Sequence, residues 1–577
     1  MDAAKAFVAN LTPAVVSSQD NIAAGSSVLG LLAHLYWQRF EPDSISYGQF
    51  TLALGGSLVL FFYSILQSIP LAVLYAAEVI TIFNTVVLLS MVIYRLSPWH
   101  PIAKYPGPAL AKVSKLYWWY QAKIGQTGYT QAALHNKYGD VVRIGPNWVS
   151  VRSADAIPII YGGSKGGIAH GRPPWMKNDW YEGAIRGATR ISMHQEVDVA
   201  KHHIRRKLWD NGFTGKALAD YRPEILEFCD KLIRNVSMVT SRADATGETQ
   251  TIDMALQSSY FSFDVMGVLG FGEPFGMLDA GVKHFFVETL ENAMQTLIPF
   301  HEISWIRILL RKLLPLPERL KVFEKQNMER FERRAKQGSA RRDLFTYLLG
   351  EEKEDTGQIF KLTRFELVAD AGLIVVAGSD TTSSLLTWFW YYVTKYPQTY
   401  RALRAELAGL SADELTDTTV LSKLPYLNAA LNETMRMQPA VPSGLRRIVP
   451  LGGVEIEGHY FPEGTVLSVP AYAIQHDARW WGDDCDTFRP ERWLDTTDKY
   501  NKSAYLPFSY GSRGCPGKGL AMTEGRLAVA QLATRFEFSF PQGFSQTEFE
   551  AGVRDHFTIQ NIALPLVPTV SPVKPAA

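Results

Sequence analysis

Residues 44–77 of this 577-residue chain contain no Asp, Glu, Lys or Arg, and such a run cannot form the wetted surface of a soluble domain. Residues 21–38 are equally free of formal charge apart from His34, and 79–94 are uncharged after the single Glu78. A helix that crosses the hydrocarbon core needs roughly 20 mostly apolar residues at 1.5 Å each. Three candidate spans follow, 22–37, 50–67 and 71–94, with Pro70 as the break between the last two. The apolar sequence runs on far past the length of a cleaved signal peptide, and no basic stretch precedes it. Arg95, His100, Lys104, Lys112 and Lys115 form a positive flank, which places the chain after the third span on the cytoplasmic side. Two or three crossings both remain open. With three, the N-terminus is lumenal and Asn10-Leu-Thr12 becomes a usable glycosylation sequon.

Beyond the anchor, at 1–100, lies a Pro-rich hinge at 101–110, Lys104-Tyr-Pro106-Gly-Pro108, and then a body at 111–567 with a flexible tail at 568–577. The net charge of +1 gives no electrostatic footprint for nucleic acid. Three cysteines, Cys229, Cys485 and Cys515, are too few and too scattered for a disulfide scaffold or a zinc site. The body reads as mainly α with small β-sheets. A hairpin is expected at 141–152 around Gly-Pro-Asn and a short β excursion at 453–460. Residues 333–342 read as a charged, solvated connector. Thr363 and Glu366 form a capping-box pattern and Pro397 stops the run, so 364–395 reads as one helix of roughly 48 Å. A further helix is expected at 424–438. The glycines at 162–167 and the Gly517-Lys518 step fail the phosphate-loop pattern, which removes nucleotide binding.

Phe508-Ser-Tyr-Gly511-Ser-Arg513-Gly-Cys515-Pro-Gly517 sets one thiol in a glycine-rich turn beside an arginine and ahead of a helix. The positive end of that helix favours the thiolate. A thiolate so placed suits an axial ligand of haem iron, where it pushes electron density onto the metal and favours O–O cleavage.

The spacing F-x-x-G-x-R-x-C-x-G, with Ala521 completing C-x-G-x-x-x-A, resembles the haem-binding signature of the cytochrome P450 family. Ala377-Gly378-Ser-Asp380-Thr381-Thr382 resembles the oxygen-handling stretch of that family's central helix. The resemblance implies that Thr381 holds bound oxygen and water, that Asp380 connects them to solvent protons, and that Gly378 leaves room for dioxygen. Glu433-x-x-Arg436 and Phe488-Arg-Pro490-Glu-Arg492-Trp493 imply a buried triad that locks the cysteine loop, with Trp493 where Phe is commoner. Phe508, Gly511 and Gly517 frame the ligand. The propionates are assigned to Arg513, to Arg446 ten residues after Arg436, and to His202 and Arg206 in a stretch similar to the family's W-x-x-x-R helix. His203 and Arg205 compete for that register, and a basic face for docking a reductase is the alternative.

The resemblance covers about 102–567 and implies a haem-thiolate fold behind transmembrane helices, with haem b as cofactor. It further implies a microsomal monooxygenase in the endoplasmic reticulum membrane, its catalytic domain on the cytosolic face and in contact with membrane lipid. Such an enzyme inserts one atom of O2 into a lipophilic small molecule. Because no flavin or ferredoxin module is visible, electrons come from an NADPH-cytochrome P450 reductase. The long anchor looks most like fungal enzymes of secondary metabolism. Substrate contacts are expected from 171–196, the helix ahead of Gly378, 440–445 and the segment around Phe557. A haem-thiolate isomerase or lyase is the alternative from another reaction class, and the Asp380-Thr381 pair speaks against it. A non-catalytic haem-binding membrane protein is a third.

Overall fold

The computed structural model describes residues 19–38, 44–169, 175–181, 191–306, 315, 317–338, 341–349, 362–497 and 499–570, with backbone alone for 163–169. Asn10 lies outside the described residues, as does 571–577.

The three apolar segments form α1 (Gln19–Trp37), α2 (Ser44–Leu66) and α3 (Ile69–Leu96). Both α1 and α2 pack along α3. Gly30 lets α1 lie close, because a Cβ there would sit 2.9 Å from the Phe83 carbonyl oxygen. Phe62, Ala72, Ala76 and Val79 fill the seam, whereas Leu52, Leu60, Leu74, Leu88 and Leu89 face outward and are exposed. Among the described residues only α2 and α3 are long and apolar enough to cross a bilayer. The break falls at Gln67, which takes a left-handed φ of +52°, and Pro70 sits in the first turn of α3, where its missing N–H is no loss.

The anchor is bolted to the body. Arg143 is almost completely buried, and its guanidinium donates to the Arg95 carbonyl at the end of α3 (2.8 Å) and to Pro146 O (2.8 Å). The segment 101–110 runs along the first strand, with Arg143 N donating to Pro106 O at 2.7 Å and Tyr105 Oη to Tyr460 O at 2.8 Å.

Behind this joint come α4 (Thr127–Tyr138), α5 (Val199–Gly212), α6 (Gly215–Thr246), α7 (Met254–Phe271), α8 (Phe285–Leu297), α9 (Arg364–Lys395), α10 (Pro425–Met437) and α11 (Lys518–Ala533). The capping box at Thr363 and Glu366 is formed, and α9 has the bounds its sequence implies. From Thr382 to Thr394 every residue of α9 is buried, so this helix is the axis of the core. It lies tightly against α7, where a Cβ on Gly270 would be 3.1 Å from Ile374 and Val375.

Small sheets edge the body. The strands are β1 (Val141–Gly145), β2 (Trp148–Val151), β3 (Ile252–Asp253), β4 (Arg447–Ile448), β5 (Val454–Ile456), β6 (His459–Phe461), β7 (Val466–Ser468), β8 (Phe536–Ser539), β9 (Arg554–His556), β10 (Thr558–Gln560) and β11 (Pro565–Val570). They join as β1-β2-β7-β4, β3-β11-β8, β5-β6 and β9-β10, and both expected hairpins are present. Residues 568–570, expected as the start of a loose tail, belong to β11 and pair with Phe536, Glu537 and Phe538.

One expectation holds only in part. Residues 333–336 end a helix, Glu318–Lys336, and Arg334 is fully buried against Asp343 at 2.7 Å, with its guanidinium 5.0 Å from the Phe345 ring. The chain doubles back at Gly338, whose φ is +54°, and this turn brings the acid to the base. Arg334 is thus a core residue within the run, while Arg333, Lys336 and Arg342 stay exposed as expected.

Candidate active site

The loop before α11 is shaped around one sulfur. Cys515 N donates to Phe508 O at 2.8 Å, and Gly511 has a φ of +72° with Tyr161 O pressed where a Cβ would go. Cys229 and Cys485 are packed in the core, whereas Cys515 opens into an internal cavity of about 680 Å³ that it lines together with Phe508 and Gly517. Burial among protein atoms pushes the thiol above its ordinary pKa, and the amides of Gly517 and Lys518 and the charges of Arg206 and Lys518 oppose that shift. A coordinated cation removes such a proton outright.

Beside the sulfur the cavity wall gathers positive charge. Lys177 is buried, donates to His194 O at 2.6 Å and has no ion-pair partner among the described residues. Burial, then Arg513 and Arg447, hold its pKa well below the usual lysine value. Arg513 donates to the carbonyls of Glu196 (3.2 Å) and Val197 (3.4 Å), and burial and Arg447 bring it to about 10. His202 is brought to about 2 by burial and then by Lys177 and Arg513, and so stays neutral. Cations that repel one another in a dry wall need anions to offset their desolvation. The two propionate groups of a haem supply that charge, so the residues present fit the cofactor.

The structure settles the register on α5. His202 and Arg206 line the cavity, while Arg205 turns into the core to pair with Asp370 at 2.7 Å and His203 is exposed. Arg206 reaches the cysteine loop, donating to Gly514 O and, at 3.4 Å, to Ser512 O. It therefore braces the loop from below. Arg446 is a correction. Its guanidinium pairs with Glu302 and stacks 3.7 Å over the Trp148 ring, off the main cavity, and it is Arg447 that faces inward. At the start of β4 successive side chains point to opposite faces, so an offset wrong by one residue selects the wrong side.

On α9, Thr381 lines the cavity and its hydroxyl donates to Ala377 O at 2.7 Å, the back-bond expected of a mid-helix threonine. Gly378 lines the cavity too, and a Cβ there would come 2.5 Å from Cε of Met266, itself a cavity-lining residue of α7, so the glycine keeps α7 close at this wall. One residue back from Thr381 is a turn of 100°, and Asp380 accordingly leaves the cavity wall for the side of α8 and β10. Its Oδ2 accepts from Thr558 Oγ1 at 3.4 Å. Burial and then Glu291 raise its pKa to about 7, with Thr558 and Lys283 opposing.

The expected triad is complete and fully buried. Glu433 accepts from Arg436 Nε at 2.8 Å and from Arg492 Nε at 3.2 Å. Arg436 also donates to Gln475 O, and Arg492 to Trp481 O and to Asp484 Oδ1 at 2.5 Å, so two acids balance two bases. Trp493, which stands where Phe is commoner, adds a contact of its own. Its indole N–H donates to Glu433 Oε2 at 2.9 Å, a bond that Phe cannot make.

The cavity wall agrees with the expected contact regions: Trp180 and His194 from 171–196, Leu373 ahead of Gly378, Ala440 and Leu445 from 440–445, and Phe557. Residues 171–174 and 182–190 lie outside the described residues. Met294, Leu297 and His301, at and beyond the end of α8, were missed. Their i, i+3 spacing marks a helix face, but no sequence signal tells a face that meets the cavity from one that meets the core.

Comparison with known proteins agrees with this geometry. The cytochrome P450 family model matches residues 115–559, well over half of the chain, and the chain belongs to the cytochrome P450 family. It is 32% identical over 557 residues to the cytochrome P450 monooxygenase FCK2 of Fusarium pseudograminearum, covering 94% of this chain and 96% of that one. It is 31% identical over 553 residues to cytochrome P450 67 of Uromyces fabae, covering 92% and 96%. It is also 32% identical over 491 residues to tryprostatin B 6-hydroxylase of Neosartorya fischeri, covering 83% and 84%. The protein is thus an oxidoreductase whose cofactor is haem b with a cysteine thiolate on the iron.

Proposed function

We propose that this protein is a membrane-anchored monooxygenase that hydroxylates a lipophilic small molecule of fungal secondary metabolism, with electrons from an NADPH-dependent cytochrome P450 reductase. One observation carries the reading: the Cys515 thiol and the Thr381 hydroxyl line the same cavity, and buried cations stand at its wall. Haem held there by a thiolate supplies the reductive activation of O2. The protein's own residues do the rest. Arg447, Arg513, Lys177 and His202 hold the propionates, Arg206 braces the loop, and the triad around Glu433 fixes the segment that carries Trp493. Thr381 holds oxygen and water in place. Asp380, whose pKa burial raises from the ordinary carboxylate range to about 7, exchanges protons with the outside. The apolar wall of Leu373, Ala440 and Phe557 excludes bulk water and favours a lipophilic ligand. With α2 and α3 in the endoplasmic reticulum membrane, the positive flank keeps the body cytosolic.

The reduced-CO absorption spectrum reports thiolate ligation, and NADPH-dependent O2 uptake with reductase, followed by metabolite profiling of an expressing host, tests the reaction. Peroxide rearrangement without O2 uptake overturns the monooxygenase reading in favour of an isomerase or lyase. A Thr381→Ala variant with unaltered turnover removes the proposed oxygen-handling role.

A further inference from the structure

Asp380 stands off the cavity, and the side chain that hydrogen-bonds its carboxyl comes from a different part of the chain. Thr558 is buried, lines the cavity beside Phe557, and points its hydroxyl at Asp380 Oδ2. The hairpin that carries it is tight. In the β9-β10 register Thr558 faces His556, which leaves Phe557 alone at the tip with a φ of +82°, a backbone region that residues other than glycine rarely adopt. That turn is held by Asp555, which accepts from Phe557 N at 2.9 Å and from Gly128 N, in the first turn of α4, at 2.8 Å. The Phe557 ring meets Trp180 at 5.0 Å and His194 at 5.4 Å in the cavity wall. A ligand pressing on this ring therefore acts on the residue next to Thr558.

A threonine hydroxyl can donate to a carboxylate and accept from a carboxylic acid, so it serves Asp380 in both protonation states. At 3.4 Å the contact is long for O–H···O and has room to tighten. The other charged groups that face Asp380 are Glu291 on α8 and Lys283 just before it, paired with each other at 2.7 Å.

We propose that Thr558 is a positioning residue of the proton relay: its hydroxyl holds the Asp380 carboxyl in the orientation from which protons pass to Thr381. The inference rests on the reading of Asp380 and Thr381 given above. Proton supply decides whether reduced oxygen leaves as H2O2 or is reduced onward to water, so the partition between them reads the relay without any substrate.

The test uses the full-length haem-loaded enzyme with NADPH and reductase, and no added ligand. H2O2 released per NADPH oxidised is measured across the neutral pH range for the parent, Thr558→Val, Thr558→Ser and Asp380→Asn. Independently, an infrared pH titration follows the protonated-carboxyl band that Asp380→Asn abolishes. Loss of the donor favours the protonated acid, so Thr558→Val moves the band's midpoint upward by roughly half a pH unit and raises the H2O2 fraction about twofold. Thr558→Ser restores both. Thr558→Ala reads the same way should the valine variant fail to load haem. Parent-like midpoints and partition in Thr558→Val, alongside an altered Asp380→Asn, overturn the role of Thr558 and leave the relay standing. A silent Asp380→Asn overturns the relay and Thr558 with it.

Discussion

Replacing Trp493 by Phe isolates one hydrogen bond in the buried ion cluster. Oε2 of Glu433 accepts from the indole N–H at 2.9 Å and from Arg436 Nε at 2.8 Å, while Oε1 accepts from Arg436 Nη2 (2.9 Å), Arg489 N (3.0 Å) and Arg492 Nε (3.2 Å). Phe keeps an aromatic ring between Trp481 (5.5 Å) and Tyr505 (4.6 Å), so the carboxylate stays paired and the site stays filled. What is lost is one bond to a charged acceptor, about 1.5–3 kcal/mol. About three ring atoms go with it, roughly 1 kcal/mol more. A total of about 2.5–4 kcal/mol lowers the folding constant by roughly 60- to 700-fold. Urea titration followed by the Soret band of the thiolate-ligated haem should show a lower midpoint with an unchanged slope. Glu433→Gln removes the acceptor's charge, so in that background the same substitution should cost about 1 kcal/mol less. A midpoint equal to the parent's, or an equal loss in both backgrounds, refutes the assignment of this bond.

Arg447→Met should lower haem occupancy, read from the pyridine haemochromogen spectrum, because it removes an inward cation. Arg446→Met should instead destabilise the wall by stranding buried Glu302, and Glu302→Gln should recover part of that loss. Gly378→Ala drives a Cβ to 2.5 Å from Met266 Cε and should cost about 1–3 kcal/mol in urea titration, with Met266→Ala in the same chain relieving the clash. Asp380 binds its proton more tightly folded, at about 7 against an ordinary 3.8, so its contribution to stability falls as pH rises from 3.8 to 7 and is flat above. Asp380→Asn, which cannot ionise, should lose less stability across that window, and equal losses refute the burial of this acid.

The parts of the fold written in local sequence were readable. Helix α9 has the expected bounds because a capping box and a following proline are short-range signals, and the cysteine turn is legible because its glycine spacing is local, with Gly511 needed for the close approach to Tyr161. What failed depends on direction or on distant partners. Arg446 and Arg447 differ by one position, and only the strand's pleat decides which faces the cavity. Arg334 reads as solvated until the turn at Gly338 brings Asp343 beside it. Thr558 carries no motif, and its link to Asp380 joins residues 178 apart.

The buried guanidinium of Arg143 makes the anchor a bracket and not a tether. A truncation that removes α3 together with Arg95 deletes an acceptor for a side chain only 1% exposed, and leaves that charge short of a partner beneath β1. Soluble versions of the enzyme should therefore begin ahead of Arg95, or exchange Arg143 for an uncharged residue. The same bracket ties the end of α3 to the sheet β1-β2-β7-β4, whose last strand carries the inward-facing Arg447.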